Sequence, residues 1–138
     1  MDKALNYLAL ARKAGVAELG EEPVGGAARA GKAYVILVAG DAGDHTWRRA
    51  KAFAAGTEQQ ALKLPYTKNE MGAVIGRQAL AIAAITDVSM ALALVQSLPE
   101  PEKQAEAIAA LTQKVQKHKQ RQKEAAAHKK NVRTGKKK

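Results

Sequence analysis

Apolar residues recur first at helical spacing. Leu5, Leu8 and Ala9 line one side after Asp2 while Lys3, Arg12 and Lys13 stay polar, which predicts an amphipathic helix capped at its C-terminus by Gly15. Val16 to Leu19 is short enough for an edge strand. Glu21, Glu22 and Pro23 after Gly20 read as a helix start, with acids in the first turn and a proline suited to the first helical position. That helix is expected to run through Arg29 and stop at Gly31, weakened by Gly25 and Gly26 at about 1 kcal/mol each relative to alanine. Tyr34 to Ala39 (YVILVA) has no polar position, as a strand covered on both faces requires. Asp41 or Asp44 then caps a helix reaching Ala55 and closed by Gly56. Ala61 to Leu64 is a short strand ending at Pro65, and Asn69 caps one or two helical turns up to Ile75. Leu80 to Ile85 (LAIAAI) is a second buried strand. Val88 to Leu98 is a helix stopped by Pro99 and Pro101. Alternating strands and helices after a leading helix predict an α/β fold: a three-layer α/β/α sandwich on a small mixed, largely parallel four-stranded sheet.

Past Pro101 the apolar signal thins to Ile108, Leu111 and Val115. No apolar side chain larger than alanine follows before Val132. The stripe either docks on the body or supports helix pairing, and the remainder is expected to pass from frayed helix into disorder after about Ala127. The chain therefore divides into a folded domain over residues 1–98 and a C-terminal extension over 99–138.

Charge sharpens that division. The 138 residues carry 23 Lys and Arg against 13 Asp and Glu, a formal net of +10. Residues 112–138 alone hold 11 basic side chains and one acid, Glu124, so the preceding 111 residues are formally neutral. A neutral body with a basic arm favours polyanionic partners, nucleic acid above all. Within the arm, Lys114, Lys117 and Arg121 fall on one helical face, with Lys119 and Lys123 adjacent and glutamines between them. Such an arm binds phosphate backbones without reading sequence. It has no aromatic side chain, so base stacking is not expected there. A merely solubilising tail is the plainer alternative.

Several function classes lack support. With no cysteine, disulfide scaffolds, thiolate zinc sites and cysteine nucleophiles are excluded. The segment GEEPVGGAARAG is glycine-rich but lacks the dinucleotide-binding order and brings carboxylates where phosphate would sit. Asp41 and Asp44 follow a strand, where α/β folds place ligands, yet N-capping is the commoner use of such residues. His45, His118 and His128 have no clustered ligands, so no metal site and no cofactor is expected. Ala4 to Ala11 precedes its positive charges, the wrong order for a secretory signal. The apolar run from Ala79 to Val95 is broken by Thr86, Asp87 and Ser89, which reads as strand, turn and helix and not as a membrane span. The expectation is a cytoplasmic, monomeric, non-enzymatic protein without membrane contact.

The ordered pieces LALARKAG, GEEPV with RAGKA, YVILVAGDAGDHT, MGAVIGR and AIAAITDVSMALAL resemble the large-subunit ribosomal protein family called L-seven-Ae. The likeness is nearer to its small bacterial YlxQ-type branch and spans about residues 3–98. The resemblance implies an α/β/α fold and binding to kink-turns in RNA. The family motif runs Gly-x-Asn-Glu-x-x-Lys at the start of the second helix. Here Gly20 is kept, while Glu22 takes the Asn position, Pro23 the Glu position and Gly26 the Lys position. Glu22 cannot donate as Asn does and repels phosphate, and Gly26 removes a cation. The resemblance also implies contacts from the loop before the last strand, with Arg77 and Gln78. Arg29 and Lys32, with Lys13 and Lys68, add positive charge, although for Arg29 and Lys32 an ordinary helix C-terminus is the plainer reading.

These readings converge on an RNA-binding protein associated with ribosomes or another ribonucleoprotein, acting in translation. Structured RNA, and possible ribosomal proteins beside it, are the expected partners. The alternative is a protein-interaction module that keeps the fold and has lost kink-turn recognition. A small nucleotide-using enzyme centred on Asp41 and Asp44 is a third.

Overall fold

The computed structural model describes residues 2–134, with side chains through 126. Helix α1 (Lys3–Lys13) starts where the Asp2 carboxylate accepts the Ala4 N–H at 2.9 Å, and it sends Leu5, Leu8 and Ala11 into the core. At its other end Gly15 takes φ +75°, with Gly15 N–H donating to Arg12 and Val16 N–H to Ala11. This pair of bonds is a Schellman closure, which turns the chain directly into the first strand.

Four strands form one sheet: β1 (Ala17–Leu19), β2 (Val35–Val38), β3 (Gln60–Lys63) and β4 (Ile82–Ile85), in the order β1-β4-β2-β3. The VILV and IAAI segments of β2 and β4 are buried throughout, as their unbroken apolar runs require. β4 is antiparallel to both β1 and β2, and β2 is parallel to β3. The sheet is thus mixed, with fewer parallel pairings than a largely parallel sheet would hold. Three strands do share one direction, but β4 runs against them. Helix α4 (Lys68–Ala73) has only 6 residues, too few to carry the chain back along the sheet, so β4 enters from the end at which β3 leaves.

Helices α2 (Glu21–Arg29) and α3 (Asp44–Ala54) cover one face, and α1 and α5 (Val88–Gln96) cover the other. After a 3-10 turn at Pro101–Gln104, helix α6 (Ala105–Thr134) lies beside α5. The apolar stripe of the extension therefore docks on the body. Ala107 and Leu111 are buried, and Ile108 and Val115 are half-buried against the core. Burying Leu111 alone contributes about 1.5–3 kcal/mol. With 30 residues, α6 is about 45 Å long. It is continuous through Thr134, and residues 135–138 lie outside the described part.

Three helix starts differ from the sequence expectation. Neither Asp41 nor Asp44 caps α3: Gly43 is its N-cap and Asp44 its first residue. Asp41 accepts the Lys68 N–H at 2.8 Å instead, tying the loop after β2 to α4. Thr67, not Asn69, caps α4, in a reciprocal box whose Thr67–Glu70 bonds measure 2.8 and 3.0 Å. Pro23 is third in α2 rather than first, because the helix already begins at Glu21. Asp87 does cap α5, accepting the Met90 N–H at 2.8 Å, which accounts for the polar break in the run from Ala79 to Val95. Among the described residues no helix is long and apolar enough to cross a membrane.

Candidate nucleic-acid interface

The sheet has two ends, and the candidate residues divide between them. At the end where β1, β2 and β3 finish and β4 begins, Gly20 N–H donates to the Ile82 carbonyl at 3.0 Å. This bond holds the start of α2 beside the segment leading into β4, which contains Arg77 and Gln78. Gly20 has φ +97°, a conformation that a side chain would strain. Among the described residues no side chain caps α2 and none accepts from the N–H groups of Glu21 and Glu22, while Pro23 offers no N–H. Glu22, Pro23, Gly26, Arg77 and Gln78 are all exposed.

Arg77 is held by its backbone. Its N–H donates to the Gly72 carbonyl at 2.9 Å, and a Cβ at Gly72 would stand 2.8 Å from the Ala79 backbone and from the Arg77 carbonyl. Gly72 thus allows α4 to lie directly against the loop that carries Arg77 and Gln78. Lys68 belongs to this end as well, its carbonyl accepting the Leu80 N–H at 2.9 Å. Acids are present too. Glu21 pairs with Arg49 at 2.7 Å, whereas Glu22 is in no ion pair among the described residues. The guanidinium of Arg49 also lies 5.2 Å from the Phe53 ring centre.

Two adjacent glycines of α2 differ in their surroundings. A Cβ at Gly25 would meet the Phe53 ring at 3.0 Å, so this glycine lets α3 approach. A Cβ at Gly26 would have nothing within 4 Å, and nothing in the structure explains a glycine there.

The remaining candidates lie at the opposite end of the sheet. Arg29 closes α2, and Lys32 follows it on the way to β2. Lys13, at the end of α1 before β1, shares this end. Buried Gln59 joins the elements here: it accepts the Ala33 N–H at 2.9 Å and donates to the Ala28 carbonyl at 3.2 Å. That places Glu58, the residue before it, near both Arg29 and the passing α6. Lys114 Nζ donates to Glu58 Oε1 at 2.8 Å, and this bond with the nearby charge of Lys117 holds the Glu58 carboxyl below its usual range. Lys114, Lys117 and Arg121 line one pocket with Tyr34 and Glu58, and Arg29 lines the adjoining one with Lys114 and Tyr34.

The predicted set of Gly20, Glu22, Pro23, Gly26, Arg29, Lys32, Arg77, Gln78, Lys114, Lys117 and Arg121 is therefore two clusters, one at each end. Tyr34, Glu58, Gln59 and Gly72 are the contributors that sequence reasoning missed. Gln59 has partners 26 and 31 residues away, which no local pattern announces. The side chains of Lys129, Lys130 and Arg133 lie outside the described residues. Among the described residues no group of three or more His, Cys, Asp or Glu is placed to hold a metal ion.

No family model matches the chain, and no curated protein matches it. Among solved structures, a protein of unknown function from Bacillus halodurans is similar to it, with a TM-score of 0.64 and 23% identity. The match covers 68% of this chain and 94% of that one. The likeness is one of fold.

Proposed function

We propose that this chain is a non-enzymatic, cytoplasmic RNA-binding protein associated with ribosomes or another ribonucleoprotein, meeting structured RNA as a monomer. The observation that carries the reading is the run of cations along α6. Lys114, Lys117, Lys119, Arg121 and Lys123 follow one another on a continuous helix with no acid between Glu106 and Glu124. Only Lys114 among them is in an ion pair among the described residues. A rod of uncompensated cations suits a phosphate backbone. The resemblance to the kink-turn-binding family makes that backbone RNA, and it assigns the first contact to the start of α2 and the Arg77 loop.

Glu22 and Gly26 make that first contact weak, since they replace a donor and a cation by an acid and no side chain. Both are exposed, and the space around Gly26 accepts a larger residue without displacing anything. The doubly substituted protein E22N/G26K, in the full chain, is expected to bind a kink-turn RNA at least about tenfold more tightly than the unsubstituted protein, a difference of about 1.4 kcal/mol. Affinity unchanged by the two substitutions, measured by fluorescence anisotropy, would remove the α2 end from the RNA interface. It would favour the protein-interaction module, a reading that the exposed and unpaired Glu22 also suits.

A further inference from the structure

The cations of the extension do not stand alone on a free arm. Helix α6 is seated by Ala107 and Leu111 and passes the end of the body where α2 closes. There the tail residues Lys114, Lys117 and Arg121 adjoin the body residues Arg29 and Tyr34 around one pair of contiguous pockets. Four cations line the two pockets with one acid, Glu58, and that acid is already bonded to Lys114 at 2.8 Å. Three positive charges are left over. Tyr34 is only half-buried and lines both pockets.

We infer that this junction of body and tail is a second RNA site, composed of Arg29, Tyr34, Lys117 and Arg121, which grips the sugar–phosphate backbone of a single strand. The inference rests on the RNA-binding reading and adds a location to it. Guanidinium groups from two different elements can hold neighbouring phosphates in two-pronged fashion, which a lone basic helix cannot do from one side. Glu58 acts indirectly: by bonding Lys114 it sets α6 against the body, so the two halves of the site stay in register.

Placement gives the site its consequence. Helix α2 runs from one end of the sheet to the other, and with 9 residues it separates Gly20 from Arg29 by about 14 Å. The Arg77 loop lies at the Gly20 end and the composite site at the Arg29 end. At about 3.4 Å per stacked nucleotide, roughly four nucleotides cover that distance, so the two ends offer separate contacts along one strand.

The experiment is an amide chemical-shift titration of the full chain with a single-stranded oligouridine of about ten nucleotides, at about 50 mM salt. Two separate groups of amides should move: Arg29 to Tyr34 together with Lys114 to Arg121, and Gly20 to Val24 together with Arg77. In K117A/R121A the first group should fall still and its affinity drop by about tenfold or more, while the second group responds as before. Movement of the α6 amides without those of Arg29 to Tyr34 would overturn the composite site and leave a plain basic arm. So would movement at Arg29 to Tyr34 that persists in K117A/R121A. No movement anywhere would overturn the second site, while the reading as a structured-RNA binder falls only if kink-turn RNA also moves no amide.

Discussion

At the scale of single residues, the loop that presents Arg77 and Gln78 depends on what Gly72 lacks. Its missing Cβ is the gap into which the backbone of Ala79 and the carbonyl of Arg77 fit, at 2.8 Å from where that atom would be. Backbone cannot turn aside as a long side chain can, so Gly72→Ala must push α4 and the loop apart. A cost of about 1–3 kcal/mol is expected from the urea midpoint, the usual penalty for forcing a methyl group into filled space. Gly26→Ala, in open surroundings, should instead stabilise the fold by up to about 1 kcal/mol and move the midpoint upward, because alanine favours the helix. Equal effects from the two substitutions would show that the close approach at Gly72 does not exist. In the sequence the two glycines look alike. A missing atom leaves no trace in a hydrophobic pattern, which is why Gly72 was illegible while the core strands around it were plain.

Between elements, one bond spans 64 positions. Tyr66, just before α4, is 7% exposed and donates its hydroxyl to Asp2 Oδ1 at 2.6 Å, the same oxygen that caps α1. Burial first, and the bond to Asp2 second, push the Tyr66 phenol above its ordinary value of 10.0. The folded state therefore favours the protonated phenol. Its contribution to stability is complete below the ordinary value and is lost as pH rises through the higher folded one. Titration of tyrosinate absorbance should show one late phase that disappears in Tyr66→Phe, and at neutral pH the substitution should cost about 0.5–1.5 kcal/mol. A titration without a late phase would mean that the two elements are not joined in this way. Element identity was legible here: the helical spacing of Leu5 and Leu8 begins just after Asp2, whose carboxylate the structure places on the local Ala4 N–H. Its second partner was not, since nothing within the local window marks Tyr66. The same limit explains α6. The spacing of Ile108, Leu111 and Val115 shows that a face must be covered, but it leaves open whether the body or another helix covers it.

Over the whole molecule, the formal charge of +10 becomes a matter of geometry. The composition places that excess in the last 27 positions, and the fold shows where the arm leaves the body. Helix α6 begins near the end of the sheet that carries Gly20 and Arg77, runs along the α5 side, and passes the opposite end at Lys114 to Arg121. Its basic length therefore projects away from the start of α2. On this arrangement the tail and the α2 end contribute separately to RNA affinity, and salt tells them apart. About six phosphate contacts from the tail give a slope near −5 for log affinity against log salt, since each contact releases condensed counterions. Removing residues 112–138 leaves Ala107 and Leu111 to seat what remains of α6, and among the described residues it takes away the partial packing of Val115 and the exposed-side ion pair of Lys114 with Glu58, together a small loss. The shortened chain should accordingly melt close to the full one while its slope shrinks to about −1 or −2, the share of Arg77, Arg29 and their neighbours. A slope unchanged by the truncation would place the phosphate contacts on the neutral body. The excess charge of the tail would then be a matter of solubility, and RNA binding would rest on the α2 end alone.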